Sequence, residues 1–376
     1  MKNPFVINDY SGPELFCDRE EETQLMIKYL TNGHNMVLVS PRRIGKTDLI
    51  SHLFHQPSIQ KEFITISVDI YSTKSFREFV IYLGNAITQA LRPKGKAWIN
   101  RFVEFLTSLK SQLTFDINGM PVWNIGIGES FTPDLTLDEI FQYLNSSDTP
   151  CIIAIDEFQQ ITKYKDAWKV EALLRTYIQH CGNTRFVFSG SHRHLMNEIF
   201  NSPARPFYAS TTILNLPLIP EDKYSDFCMA QFDKGGKTLL PEVSHKVYEK
   251  FRGITAPMHR VMNIMYANTP VGKQCDVDQI DIAINEILKI QNDSYISIRY
   301  QLTETQYALL YAIAKDGEAK NIHGTEFIRR HKLISSSSVL GASRILLDRD
   351  LITTHLGIYT VNDPFLELWL QRQPLR

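Results

Sequence analysis

Met36-Val37-Leu38-Val39-Ser40-Pro41-Arg42-Arg43-Ile44-Gly45-Lys46-Thr47-Asp48-Leu49-Ile50 is the stretch on which the reading of this chain turns. Four uncharged apolar residues read as a buried strand, and Leu49, Ile50, Leu53 and Phe54 continue at helical spacing. Strand, turn and helix meet at Gly45-Lys46-Thr47, the ending of a phosphate-binding loop. Each residue type has a task there. Gly45 lets backbone N–H groups approach phosphate oxygens, Lys46 sets a point charge on the terminal phosphates, and Thr47 offers a hydroxyl to Mg²⁺. The helix N-terminus adds its partial positive charge. The usual pattern opens on glycine; Ser40 opens this one, and Pro41-Arg42-Arg43 makes the loop stiffer and more basic. Ser40, Pro41, Arg42, Arg43, Ile44, Gly45, Lys46, Thr47 and Asp48 are thus the candidate phosphate-contacting residues.

Such a loop needs a metal holder on a neighbouring strand. Cys151-Ile152-Ile153-Ala154-Ile155-Asp156-Glu157 supplies one: an apolar strand ending in two carboxylates. Asp156 is placed to hold Mg²⁺, and Glu157 to orient and deprotonate the attacking water. Arg185–Ser191 forms a further strand ending in Ser189-Gly190-Ser191. Ligands of open α/β sheets sit beyond the carboxyl ends of the strands, so Ser189 or Ser191 is a candidate γ-phosphate sensor; a plain turn is the alternative. Phe63–Ile70 and Thr211–Leu216 complete a five-strand set.

A chain of 376 residues is too long for one core, so two or three domains are expected. With 43% hydrophobic and 22% charged residues the composition is that of a globular protein, and extensive disorder is excluded. A net charge of −1 exerts no global pull on nucleic acid or anionic lipid. Five scattered cysteines make no zinc spacing and fit free thiols in a reducing compartment. Neither a leader nor an apolar run long enough for a membrane span is visible, so a cytoplasmic location is expected.

Residues 1–219 are assigned to the nucleotide domain. Asp18, with Glu21 three later, signals the cap of its first helix. Helices follow near Ser75–Leu91 and Ala97–Leu113, an Asn118-Gly119 hairpin forms an insertion near 113–128, and Thr136 with Glu139 caps the next helix. Residues 220–295 read as all-helical with no strand. Residues 296–376 read as three helices and a β-hairpin, a winged helix whose recognition helix is Ser336–Asp348.

With these residues in place the chain resembles the archaeal-type ATPase family, a branch of the AAA+ and STAND-like P-loop ATPases. The likeness rests on Phe16-Cys17-Asp18-Arg19-Glu20, the Walker A loop Ser40–Thr47, the Walker B segment Ile155-Asp156-Glu157-Phe158, Phe188-Ser189-Gly190-Ser191, and Asn362-Asp363-Pro364-Phe365 with Trp369. It implies an α/β fold: a P-loop NTPase parallel sheet in AAA-like order, flanked by helices and followed by an all-α lid and a winged helix, with ATP or ADP and Mg²⁺ as ligands. It also implies that Phe16 to Arg19 lie beside the adenine. Of the lid Gly-x-Pro that touches the base in STAND-like relatives, Pro257 is kept, while Thr255 replaces the glycine. Arg260, one turn further, is either a lid sensor or a surface arginine. Arg205 lies where related ATPases present an arginine finger to a neighbouring subunit, with nucleotide-dependent self-association; a loop arginine in an ion pair is the alternative.

Two functions follow. One is an ATP-binding and ATP-hydrolysing switch coupled to the winged helix; the other is a DNA-binding regulator in which nucleotide is structural. From Ile296 onward ten basic residues face eight acidic ones, and Asp348 and Asp350 flank Arg349 at the end of the recognition helix. Weak DNA binding is therefore expected, with a protein as the alternative partner of the winged helix.

Overall fold

The structure, a computed structural model, describes residues 3–7, 10–109, 114–116, 121–123 and 132–374. These group into two compact units, one of Asn8–Ile219 and one of Met1–Ile7 with Pro220–Arg376.

The first unit runs α1 (Glu20–Thr31), β1 (Met36–Val39), α2 (Lys46–Phe54), α3 (Pro57–Glu62), β2 (Ile64–Asp69), α4 (Phe76–Leu91) and α5 (Lys96–Phe105). It continues with β3 (Thr114–Phe115), β4 (Pro121–Val122), α6 (Pro133–Ser146), β5 (Cys151–Asp156), α7 (Ala167–His180), β6 (Thr184–Gly190), α8 (Arg193–Asn201) and β7 (Thr212–Asn215). Five strands form one parallel sheet in the order β2-β5-β6-β1-β7. Its central strands β5, β6 and β1 are buried at nearly every position because a parallel sheet is covered on both faces, and their polar residues gather at the strand ends. Val37, Val39, Ile153, Ile155, Phe186 and Phe188 share one core cluster, while Met36, Leu38, Ile152, Ala154 and Val187, also buried, point the other way by the period-two rule.

Several local signals resolve differently from their sequence reading. Asp18 does not cap α1. Asp18 and Arg19 both take left-handed backbone (φ 58° and 80°), and Arg19 occupies the cap position. The helix expected over Ala97–Leu113 ends at Phe105, where Leu106 leaves helical geometry. Helix α6 starts at Pro133, not at Thr136: proline suits the first helical position, where no N–H is required. That shift puts Glu139 inside the helix, buried, where its carboxylate accepts hydrogen bonds from Thr107 Oγ1, Ser108 N and Ser108 Oγ. The Asn118-Gly119 turn lies outside the described residues, although its flanks β3 and β4 pair antiparallel. Trp123, just after β4, packs on α4 so closely that a Cβ on Gly84 would stand 2.3 Å from the indole.

The second unit holds α9 (Glu221–Lys234), β8 (Thr238–Leu239), α10 (Pro241–Lys250), α11 (Thr255–Asn268), β9 (Gln274–Cys275) and α12 (Asp278–Tyr300). After these come α13 (Glu304–Asp316), β10 (Ala319–Lys320), α14 (Thr325–Arg330), α15 (Ser336–Asp348), β11 (Ile352–His355), β12 (Ile358–Val361) and α16 (Pro364–Arg372). The region read as strandless carries one short parallel pair, β8 with β9, too brief to show in the apolar pattern. Helix α12 continues without interruption across 295–296. Its far end and α16 are joined by Trp369 Nε1 donating to Asn292 Oδ1 at 3.1 Å. Capping boxes at Thr303/Gln306 and Ser335/Ser338 start α13 and α15. The wing, β11 and β12 joined through Leu356 and Gly357 with positive φ at both, gains β10 as a third strand. All five cysteines are buried free thiols, and no helix among the described residues is long and apolar enough to cross a membrane.

The N-terminal residues belong to this second unit. Phe5 is fully buried among Phe227, Phe232, His259 and Tyr266, and Asn3 and Asn263 exchange side-chain bonds to each other's segment. Burial there pulls the His259 imidazole down to about 4. The folded state therefore holds His259 neutral, whereas the unfolded chain takes up a proton near 6.5. The stability due to this group is present above pH 6.5 and is lost as pH falls toward 4, by about 3 kcal/mol. Urea unfolding between pH 7 and 4.5 should show a shallower acid loss for His259→Phe than for the parent chain; equal slopes would refute the assignment.

Candidate nucleotide site

The loop after β1 turns on two left-handed residues, Arg43 (φ 67°) and Gly45 (φ 87°). Gly45 is the cap residue of α2 and offers no side-chain acceptor, so the helix's first N–H groups remain available to an anion. A Cβ on Gly45 would meet no atom within 4 Å; the positive φ, not crowding, calls for glycine. Ser40 fits at the loop's start, fully buried, its Oγ donating to Pro41 O at 3.0 Å.

Lys46 is only 7% exposed and donates to Pro41 O at 3.1 Å. Burial lowers its pKa; Glu157 and Asp156 oppose the shift, and Arg42 and Arg193 add to it. Two carboxylates and two guanidinium groups thus surround one ammonium. Sequence reading put the metal holder on a neighbouring strand, but β6 lies between β1 and β5. The loop and Asp156 still meet: Thr47 Oγ1 donates to Asp156 Oδ2 at 2.8 Å. From the intervening strand, Ser189 Oγ donates to Asp156 Oδ1 at 2.6 Å, and the Glu157 N–H reaches the same oxygen at 2.9 Å. A hydroxyl and a carboxylate in contact beside a buried lysine and an open helix N-terminus are the donor set that a magnesium–phosphate group requires.

Glu157 takes left-handed backbone (φ 54°), which turns its side chain out of the strand's line. Its Oε2 accepts from Ser191 Oγ at 2.8 Å and from Gln159 Nε2. Ser191 in turn accepts from Arg42 Nε at 3.0 Å, so the phosphate loop is wired to Glu157 through one hydroxyl. Ser189 and Ser191, alternatives in the sequence, have separate tasks: one holds Asp156, the other Glu157.

Three residues here escaped the sequence reading. Asp69 ends β2 in register with Asp156, and burial, with the charges of Asp156 and Glu157, raises its pKa against the Tyr71 N–H that lowers it. The rule that found Asp156, a carboxylate ending an apolar strand, also fits Asp69. Gln159 and Arg193 gave no comparable signal.

The remaining candidates make no bond to Asp156 or Glu157 among the described residues. The Phe16 ring stacks on His52 of α2 at 4.3 Å, and the Tyr10 hydroxyl meets His52 Nδ1 at 2.8 Å, forming an aromatic patch on the flank of the phosphate-loop helix. Arg19 is buried, its guanidinium on Glu22 Oε1 and Pro217 O, both at 2.7 Å. Pro257 and Arg260 lie on α11 of the second unit, where Pro257 is buried and the Arg260 guanidinium sits over the Phe365 ring at 5.4 Å. Arg205 is held by Glu198 at 3.2 Å and by Glu171, a fully buried carboxylate. That is the ion-pair alternative rather than the posture of a finger.

Residues 293–372 match the family described as "Probable winged helix domain". Over 98% of its length the chain superposes on the Walker-type ATPase PABY2304 of Pyrococcus abyssi, with a TM-score of 0.67, 16% identity and 99% of that chain covered. The chain therefore has the fold of a Walker-type ATPase. The ORC2 protein of Aeropyrum pernix, solved as ADPNP–ADP complexes, gives 0.60 at 13% identity, and the ORC1 protein of the same organism, solved in complex with DNA, gives 0.56 at 13%; each is covered over 96% of its length and over 98% of this chain. No curated protein matches by sequence.

Burial pushes Glu171 up to about 7, and Arg205 works against that shift. Arg205→Ala should therefore cost about 3 kcal/mol of stability, because it strands a buried carboxylate. The loss should be greater at pH 8, where Glu171 must ionise or hold its proton against solvent, than at pH 5. Chemical unfolding at the two pH values checks this; unchanged stability with lost turnover would restore the finger.

Proposed function

We propose that this chain is a magnesium-dependent ATPase switch, in which the first unit binds and hydrolyses ATP and the second reports the nucleotide state to a partner through its winged helix. The contact between Thr47 and Asp156, bracketed by buried Lys46 and by Ser189, supports this most strongly. Thr47 and Asp156 would hold the metal. Bound Mg²⁺ supplies charge neutralisation at the phosphate oxygens. The loop residues from Ser40 to Asp48 and the N-terminus of α2 bind the phosphates, and Lys46 exchanges its bond to Pro41 O for one to a terminal phosphate oxygen. Glu157 orients water and accepts its proton, and Ser191 and Gln159 hold the carboxylate at the angle where it can do so. ATP rather than GTP fits the absence of an Asn-Lys-x-Asp run from the sequence. The Phe16–His52 patch is the adenine platform in this reading.

A displaced Arg42 would release Ser191, and with it Glu157, so occupation of the phosphate loop can bias the position of the catalytic carboxylate. A two-state element biased by phosphate contacts is what a nucleotide switch requires.

Three variants test the assignment against a fluorescent ATP analogue and phosphate release. Lys46→Ala should abolish binding. Glu157→Gln should bind normally and lose about a hundredfold or more in turnover. Ser191→Ala should lower kcat more than it changes KM, since it frees the Glu157 carboxylate and, in the loop, only the Arg42 bond. Normal affinity in the Lys46 variant, or full turnover in the Glu157 variant, would sink the reading.

For the winged helix we favour a protein partner over DNA. Leu340 and Ile345 on α15 are exposed, Leu356 at the wing tip is 87% exposed, and residues 351–361 contain no lysine or arginine. Phosphate contacts supply most non-specific DNA affinity, and this face is poor in them. Full-length protein should bind a labelled random duplex with a Kd above about 1 μM near physiological salt. Sub-micromolar affinity with a steep salt slope in fluorescence anisotropy would instead favour the DNA-binding regulator.

A further inference from the structure

The second unit contains a cavity of 310 Å³ at the start of α13, lined by no residue of the phosphate-loop cluster. One wall is Tyr307 and Tyr311, a turn apart, with ring centroids 6.3 Å from each other. The rings are tilted 39° to each other and Tyr311 is only 6% exposed, so Tyr307, the less buried of the two, presents most of the aromatic surface. Ala308 and Ala312 lie beside them and leave room for a flat body against it.

The rim is cationic. Arg330 and His331 both contact Asp316, so the Arg330 charge is partly answered. Arg299 and Lys332 have no acidic partner among the described residues; the Arg299 guanidinium rests over the Tyr307 ring at 4.8 Å. The Tyr307 hydroxyl has no hydrogen-bond partner among the described residues either. Glu304 is the one carboxylate on the lining among the described residues.

We propose that this cavity is a second, nucleotide-sized binding site, taking a flat base against the tyrosine wall and a phosphate at Arg299 and Lys332. Base–aromatic stacking and cation–phosphate pairing are the two forces that hold single nucleotides without sequence preference. The volume, at the low end for ligand sites, accommodates one base–sugar–phosphate unit. A free mononucleotide and the terminal nucleotide of a single strand share that chemistry.

The test uses the full chain carrying Lys46→Ala, which removes the phosphate-loop site from the measurement. Etheno-AMP and a labelled single-stranded oligothymidine bearing a terminal phosphate are titrated separately. Binding of either probe should weaken about tenfold on adding Lys332→Glu, through the lost charge-assisted bond. It should disappear on adding Ala308→Trp, which fills the cavity without altering charge. Etheno-AMP binding identifies a free nucleotide as ligand, and oligonucleotide binding alone identifies a strand end. No binding of either probe up to about 1 mM overturns the proposal. So does binding that survives Ala308→Trp, which would instead place the probe at the phosphate loop and count against the Lys46 assignment.

Discussion

The carboxylate of Asp156 is where the first unit's elements meet. Hydrogen bonds reach it from Thr47 at the start of α2, from Ser189 at the end of β6, and from the Glu157 backbone. The loop after β1, the tip of β6 and the turn after β5 are thereby tied to one point. Each bond is charge-assisted, which makes it shorter and stronger than a neutral one. Lys46, buried beside the cluster, offsets part of the negative charge that Asp69, Asp156 and Glu157 gather at the same sheet edge. A sheet edge with three carboxylates and no cation would repel itself; the loop after β1 supplies the counter-charge.

Glu157 shows how geometry separates two adjacent carboxylates. Asp156 stays in the strand and points at Thr47, whereas Glu157 steps into left-handed backbone and turns toward Ser191 and Gln159. Such backbone is uncommon for a residue with a Cβ, and it persists where surrounding contacts over-determine it, here the bonds from Ser191 and Gln159. The same cluster explains the value of serine at both 189 and 191, since each hydroxyl serves a different acid.

In the second unit the connection between the α9–α12 helices and the winged helix is made by polar anchors rather than by a broad apolar seam alone. Arg252, in left-handed backbone, forms two bonds to the buried Glu367 of α16, at 3.1 and 2.6 Å. Phe251 packs on Phe365 next to it. Together with α12, which runs through both parts, these contacts make the helical region and the winged helix one compact body. A movement of the helices would then be carried to the wing without a hinge at 295–296.

The sequence by itself determined the elements whose signals are local. The strand–loop–helix at Met36–Phe54, the apolar strand ending in Asp156, the recognition helix Ser336–Asp348 and the wing hairpin all follow from spacing and residue type, because each is stabilised within a few residues of itself. Helix starts at Glu20 and Pro133 were less legible: an acidic or hydroxyl residue near the boundary competes with backbone geometry that neighbouring segments impose. Only the tertiary structure decided that β6 lies between β1 and β5, that Asp69 joins the acidic edge, that Arg205 answers buried Glu171, and that Phe5 is buried in the second unit. Those facts depend on which residues far apart in the chain share desolvated space. Burial changes the energy of a charge or a ring by more than any local propensity does, and burial is set by the packed fold.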